Sequence, residues 1–417
     1  MSHASPESPA NEQPACVCLI GAGTVGRAIL EVHLQHRFDV ILVDAYQHAL
    51  QTACDWVSSQ FPDHRIESTE PVLAEMPAVR FSLGGGPLAR SIAPSIVIES
   101  IPENLLRKQA LFVELGQRFG SAVVLASNTS NLRIADIFKP LENDVRCCGL
   151  HFFMPVRERP LVECVATPTT SPETQAASRS HALRIGKQTL FVQDSPGFVV
   201  NRLLAPYLNQ SLLMLQYGVE ASQLADAAEA FGMPMSPLKL IDTIGLRTAF
   251  DSGRVFWQSF PNRLEPASVL PGMLKAKRTR ADDRSGFLES DALSPTALRV
   301  IASYQRDRRT WPLQEIAAMI AIPMWIDAAE LLATEVVSDE ASIELAMNGG
   351  LGYVRPAGFF AFFDALGNDV MRRHLQSSSR TFRGLCAPPE LVTCLDMGLL
   401  PRQAAIRYAE IRRSAAR

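Results

Sequence analysis

The sequence predicts an α/β protein in which a doubly wound, mostly parallel sheet is followed by two all-helical domains. Three observations predict it. From Cys16 to about Pro196 apolar strands alternate with helical stretches, the pattern of a sheet covered on both faces. Within that region, Val17 to Asp44 joins a strand, a glycine-rich turn, a helix and a second strand. After Asp194-Ser-Pro-Gly197 the strand pattern stops, and long apolar helices follow in an arrangement that occurs twice.

Cys16 to Ile20 reads as a buried strand. Gly21, Gly23 and Gly26 then stand at G-x-G-x-x-G spacing, with Thr24 and Val25 opening an apolar helix that runs to His36. Gly21 permits a tight turn, Gly23 lets the backbone approach a pyrophosphate, and Gly26 lets the helix pack close to the strand. The helix N-terminus attracts the phosphate charge. A second strand, Asp39 to Val43, ends in Asp44, where a carboxylate can accept from a ribose 2′-hydroxyl. Strand, loop, helix, strand and acid together predict a Rossmann-type dinucleotide site for NAD, with Gly21, Gly23, Thr24, Val25, Gly26 and Asp44 as its candidate residues.

Further strands are predicted over Ile96–Glu99, Ala122–Ala126, Cys147–His151, Leu161–Thr167 and Thr189–Val192. Helices are predicted over Gln47–Phe61, Asn104–Phe119 and Pro172–Gly186. Phe61 to Ala93 contains Pro and Gly, has little periodicity, and reads as an insertion on the sheet. Phe198 to Tyr217 is apolar nearly all round, so it predicts a buried helix kinked or interrupted at Pro206. Helices over Leu224–Phe231, Leu238–Ile244 and Thr248–Phe256 continue the pattern, and Pro261 to Ser290 reads as a connector with few core contacts. From Glu315 the chain repeats the stretch that begins at Gly197. Each copy places a proline in an apolar helix (Pro206, Pro323), and each ends in Asp-x-apolar-Gly (Asp242–Gly245, Asp364–Gly367). The predicted division is a disordered tail at 1–14, a dinucleotide-binding domain at 15–196, a first helical domain at 197–290, and a second helical repeat with C-terminal helices at 291–417.

The 417 residues carry a net charge of −3, which argues against nucleic acid as a partner. No uninterrupted apolar run approaches the roughly 18 residues of a membrane span, so no membrane association is expected. The N-terminal stretch lacks the basic-then-apolar pattern of a secretory signal. Eight cysteines are scattered without a C-x-x-C pair. They read as free thiols in a reducing, cytoplasmic setting, with no metal site.

Polar residues recur where strands should end: Glu99-Ser100, Ser127-Asn-Thr-Ser130, and His151 in GLHFFMP. In a doubly wound sheet these ends converge on the ligand crevice. Glu163 lies mid-strand in LVECV, where a carboxylate needs a partner, and His151 is the candidate. A carboxylate behind an imidazole fixes its tautomer and stabilises the imidazolium, as a general base requires. With SNTS, GLHFF, LVEC and PGFVVNR in this order, the chain resembles the L-3-hydroxyacyl-CoA dehydrogenase family from about Val17 to Gly286, and the helical repeat extends the resemblance to about Leu375. It looks like the dehydrogenase portion of the multifunctional fatty-acid oxidation proteins, which carry a duplicated helical domain of the 6-phosphogluconate-dehydrogenase-like C-terminal type. The resemblance implies that His151 is the general acid/base, that Glu163 orients it, and that Ser130 and Asn201 hold the substrate oxygen. It also implies, from ENLLRK, that Glu103 and Lys108 contact the cofactor. The alternatives are an N-cap role for Ser130 ahead of Ile134–Phe138, and a satisfied helix–helix contact for Asn201.

The implied activity is NAD-dependent oxidation of (S)-3-hydroxyacyl-CoA in fatty-acid β-oxidation or related acyl-CoA metabolism, with a hydratase or thiolase as a further partner. Four departures from the family pattern bear on it. Met154 replaces an asparagine, Gln47 to Leu83 contains no lysine, and a glycine-rich motif is reduced to ADDRSGFLES from Ala281. Ala318 stands in the second copy where the first has Asn201, so that copy is expected to make no catalytic contact and to pack on the first as an internal substitute for a dimer partner. The alternatives these departures raise are a dehydrogenase of a free 3-hydroxy acid, or an NAD-binding scaffold with little turnover.

Overall fold

The structure, a computed structural model, describes residues 16–73, 76–83, 94–141, 144–279 and 286–416. The expected tail at 1–14 and the first five residues of ADDRSGFLES lie outside the described residues. The chain divides into two units. One runs up to Thr129 and includes Ile134–Thr189; the other comprises Ser130–Arg133 and Leu190–Arg417.

The first unit begins β1 (Cys16–Ile20), α1 (Thr24–Gln35), β2 (Asp39–Val43), α2 (Gln47–Gln60), β3 (His64–Leu73) and β4 (Met76–Leu83). It continues with β5 (Ile96–Glu99), α3 (Leu105–Phe119), β6 (Val124–Ser127), α4 (Ile134–Phe138), β7 (Cys147–Phe152), β8 (Leu161–Ala166) and α5 (Pro172–Arg184); the last strand of the sheet, β9 (Gln188–Gln193), begins in this unit and passes at Leu190 into the second. The order is β3-β4-β2-β1-β5-β6-β7-β8-β9. Strands β2, β1, β5, β6 and β7 pair in parallel. The chain winds outward from β1 to β2, then returns to the other side of β1 as β5. That reversal places the carboxyl ends of β1, β2 and β5 around one crevice.

The stretch expected to be an unpatterned insertion is instead a hairpin. β3 pairs antiparallel with β4, and β4 antiparallel with β2, so the sheet gains two strands. Most of β3 is exposed or half-buried, so polar residues occupy both of its faces and the period-two signal is lost. β4 is held by its inner face, where Phe81 is fully buried.

The second unit holds α6 (Val200–Gln216), α7 (Ala221–Phe231), α8 (Pro237–Ile244), α9 (Leu246–Ser259), α10 (Val269–Thr279) and a two-residue hairpin, β10 (Leu288–Glu289) with β11 (Ala292–Leu293). Then come α11 (Pro295–Ser303), α12 (Leu313–Ala333), α13 (Glu340–Leu345), α14 (Phe359–Leu366), α15 (Asn368–Gln376), α16 (Pro389–Asp396) and α17 (Pro401–Ala416). α6 continues through Pro206, so the proline does not interrupt the helix. The expected connector contains α10, whose Val269 and Met273 are fully buried. Pro271 lies in its first turn, where backbone N–H groups have no intrahelical acceptor, so it does not stop the helix.

The two copies pack on each other: α12 lies against α6 and α7, and α17 covers it. By length and composition α12 could cross a membrane, against the expectation that no apolar stretch is long enough; it is buried inside this unit. A buried charge cluster joins the copies. Asp327 lies 3.7 Å from the Arg202 guanidinium and 2.9 Å from that of Arg263. Burial pushes the Asp327 pKa up and the arginines oppose it. Arg202 also stacks on Phe260, 4.4 Å from the ring centre.

Candidate functional site

The glycine loop follows β1, and the three glycines differ in what demands them. Gly21 has φ +107° and donates to the Val43 carbonyl at 2.8 Å. A Cβ there would meet the Ser100 carbonyl oxygen at 2.8 Å. A Cβ on Gly26 would stand 1.8 Å from the Gly21 oxygen. The protein's own packing therefore requires both. A Cβ on Gly23 would meet open space. Gly23 and Thr24 are exposed, Val25 is half-buried, and Gly23 is the N-cap of α1 with no side chain capping that end. The first turn thus offers backbone N–H groups toward open space, a donor set suited to an anion. Asp44 accepts from the Ala22 N–H at 2.7 Å and from the Tyr46 N–H at 2.8 Å. Each carboxylate oxygen has a second lone pair, so the acid can brace the loop and still accept from a ribose hydroxyl. The residues present fit a dinucleotide.

The candidate acid/base pair sits on β7 and β8, which run antiparallel with His151 directly opposite Glu163. Opposed residues share a face, so this register brings the two side chains together. His151 Nδ1 and Glu163 Oε2 are 2.7 Å apart, with side-chain exposures of 5% and 0%. With the carboxylate as acceptor, Nδ1 carries the proton and the ring lone pair lies on Nε2. The Phe153 ring stands edge-on to the imidazole at 4.6 Å. The connection from β7 to β8 is held by Lys187, whose ammonium donates to the carbonyls of Val156 and Arg159. Met154, where the resemblance expects an asparagine, is 46% exposed.

A second network lies at the ends of β5 and β6. Glu99 is fully buried. Its Oε1 accepts from Lys108 Nζ at 2.5 Å and from the Ile101 N–H at 2.6 Å; its Oε2 accepts from Ser127 Oγ at 2.6 Å. The Lys108 ammonium also reaches the Ile101 carbonyl at 3.2 Å and Glu103 at 3.4 Å. Glu103, about one-third exposed, accepts from Thr129 Oγ1 at 2.7 Å. The expectation was that Lys108 and Glu103 both touch the cofactor. Here Lys108 is 1% exposed and its ammonium lies against three protein oxygens, so it faces inward and braces Glu99 and Glu103. Spacing could have shown this, because Lys108 shares the buried stripe of α3 with Leu111, Phe112 and Leu115.

Ser130 and Asn201 belong to the second unit. Asn201 is the second residue of α6, and its Nδ2 donates to the Ser130 carbonyl at 3.3 Å. α4 starts at Ile134, four residues beyond Ser130, so Ser130 is not its N-cap. The sequence reading missed a buried pair, His33 and His181, whose Nε2 atoms are 2.9 Å apart. It also missed the contacts of Asn128, which closes β6.

Comparison with known proteins places these residues in a family. Residues 16–195 match the model described as "3-hydroxyacyl-CoA dehydrogenase, NAD binding domain", and residues 197–290 match "3-hydroxyacyl-CoA dehydrogenase, C-terminal domain". A fatty acid oxidation complex subunit alpha from Pseudomonas savastanoi is 28% identical over 365 residues, which is 84% of this chain and 50% of that protein. A protein of the same name from Acinetobacter baumannii is 32% identical over 270 residues, 62% of this chain and 38% of the relative. The chain thus spans half or less of the length of these relatives. Among solved structures, a 3-hydroxybutyryl-CoA dehydrogenase from Escherichia coli shares the fold, with a TM-score of 0.67 and 23% identity over 96% of this chain and 100% of that one. An (S)-3-hydroxybutyryl-CoA dehydrogenase from Ralstonia eutropha is 28% identical, with a TM-score of 0.52 over 63% of this chain and 94% of the other.

Proposed function

Since the chain belongs to the 3-hydroxyacyl-CoA dehydrogenase family, its two matched domains together covering well over half of it, we propose that it oxidises (S)-3-hydroxyacyl-CoA to 3-oxoacyl-CoA. The observation that carries the reading is the buried His151–Glu163 pair, in the same unit as the glycine loop. Gly21, Gly23, Thr24, Val25 and Gly26 would cradle the pyrophosphate of NAD, and Asp44 would take the ribose. When bound, NAD supplies the hydride acceptor. His151 takes the hydroxyl proton at Nε2, and Glu163 stabilises the resulting imidazolium. Negative charge grows on the substrate oxygen as the proton leaves, and Ser130 and Asn201 are assigned to hold that oxygen. In the reverse direction the imidazolium returns the proton.

One observation favours a second reading, in which the substrate is a free 3-hydroxy acid. The segment from Gln47 to Leu83 has no lysine, and its basic groups are His48, His64, Arg65 and Arg80. Arg80 is committed to Asp39 at 2.7 Å, and burial lowers the His64 pKa. Little positive charge remains there for the phosphates of CoA. NADH oxidation with acetoacetyl-CoA, compared with acetoacetate, separates the readings. Turnover of the thioester supports the first and turnover of the acid alone the second. NADH binding without turnover of either supports an NAD-binding scaffold. A cytoplasmic location and association with a separate hydratase or thiolase belong to the same proposal. Eight unpaired cysteines, six of them buried, support the first; the names of the relatives support the second.

A further inference from the structure

We propose that Asn128 is the positioning residue that sets His151 relative to the glycine loop; the inference rests on the dehydrogenase reading above. Asn128 stands just past β6 and bonds to the strand ends on both sides. Its backbone N–H donates to the Glu99 carbonyl at 2.8 Å. Its side-chain oxygen accepts from the Phe152 N–H at 2.8 Å, the peptide directly after His151. Its side-chain nitrogen donates to Ser100 Oγ at 3.2 Å. Ser100 in turn donates its N–H to the Ile20 carbonyl at 2.8 Å, and its own carbonyl lies where a Cβ on Gly21 would come within 2.8 Å. A single amide therefore ties the end of β7 to the end of β5, and through Ser100 to the turn that opens the dinucleotide site.

The constraint differs from the one Glu163 supplies. The bond from Glu163 fixes how the imidazole is rotated, because it is made at Nδ1. It does not tie the end of β7 to β6 or β5, since Glu163 stands on β8, on the opposite side of β7 from them. On its other side β7 pairs with β6 only through Cys147, Cys148 and Gly149, which leaves His151 two residues beyond the last paired position. The Asn128 bond to Phe152 reaches across that gap. A misplacement of about 1 Å at a reacting group costs on the order of a hundredfold in rate, so a bond of this kind has a kinetic consequence.

The test uses the full chain, acetoacetyl-CoA and NADH, with Asn128→Ala, Asn128→Asp, Ser100→Ala and His151→Ala measured beside wild type. Asn128→Ala is expected to lower kcat about a hundredfold. Its KM for NADH and its melting temperature should stay near wild type, a split that a purely structural role would not give. Asn128→Asp keeps an acceptor for the Phe152 N–H, and the Ser100 hydroxyl can turn to donate to it, so it should recover most of the lost kcat. Ser100→Ala cuts only the link to the glycine turn and should lower kcat by a smaller factor. Wild-type kcat in Asn128→Ala, or equal losses in the Ala and Asp variants, overturns the proposal. If Asn128→Ala does not fold, an unchanged kcat in Ser100→Ala overturns it. A wild type that turns over neither acetoacetyl-CoA nor acetoacetate refutes the dehydrogenase reading itself, a result distinct from any of these.

Discussion

Acid should loosen the first unit through His33 and His181, and the size of the effect follows from their burial. His33 Nδ1 is 2.7 Å from the Ile29 carbonyl, so that nitrogen carries the ring proton. His33 Nε2 is then the acceptor, and His181 Nε2, 2.9 Å away, is the donor. Both rings are neutral in this arrangement. Burial lowers the His33 pKa from 6.5 to about 4, and burial together with His33 and Arg184 lowers that of His181 further below its ordinary value. The folded state therefore binds fewer protons than the unfolded one between pH 6.5 and about 4, and stability falls as pH falls through that window. At pH 5 His33 alone removes about 2 kcal/mol, and His181 acts in the same direction. Against a total of about 5–15 kcal/mol this is a large share. Hydrogen exchange in β1 and α1, corrected for intrinsic rates, should show opening at least roughly 30-fold more frequent at pH 5 than at pH 7.5. The double variant His33→Gln/His181→Gln should lose most of that difference. Equal acid sensitivity in wild type and double variant would refute the reasoning.

Gly23→Ala should fold normally, since its Cβ meets open space, yet bind NADH about tenfold or more weakly, a change of roughly 1.4 kcal/mol. Gly26→Ala, with its Cβ 1.8 Å from the Gly21 oxygen, should fail to form the loop, as equilibrium dialysis with NADH and circular dichroism would show. Lys108→Met leaves the Glu99 carboxylate buried and unpaired, at a cost of about 3–5 kcal/mol in urea unfolding, which Glu99→Gln/Lys108→Met should largely recover. Asp327→Ala strands the buried arginines that join the helical copies and should cost a similar amount, read as a lowered melting temperature.

Much of the sheet was legible because its strands are buried on both faces. Cys16–Ile20, Asp39–Val43 and Ile96–Glu99 stand at the expected residues, since continuous apolar runs bounded by glycine or charge leave little choice. The hairpin of β3 and β4 was not legible. Its residues face solvent on most sides, and what holds them is pairing with β2, a partner that local sequence does not reveal. α10 was hidden in a segment whose Pro, Arg and Asp content reads as a connector, although Pro271 falls in the one turn that tolerates it. In the candidate site, a carboxylate at mid-strand announced that Glu163 had a partner, and the β7–β8 register supplies His151. The inward turn of Lys108 and the bonds of Asn128 depend on which neighbouring strand ends stand beside them, and that is set by the sheet order.

His151 is the group proposed to move the substrate proton. Single-turnover oxidation of bound NADH by acetoacetyl-CoA, in wild type and His151→Ala, tests this most directly. The rate should be lower by about 10²–10⁴ in the variant, with NADH affinity unchanged. An undiminished single-turnover rate in His151→Ala would contradict that role.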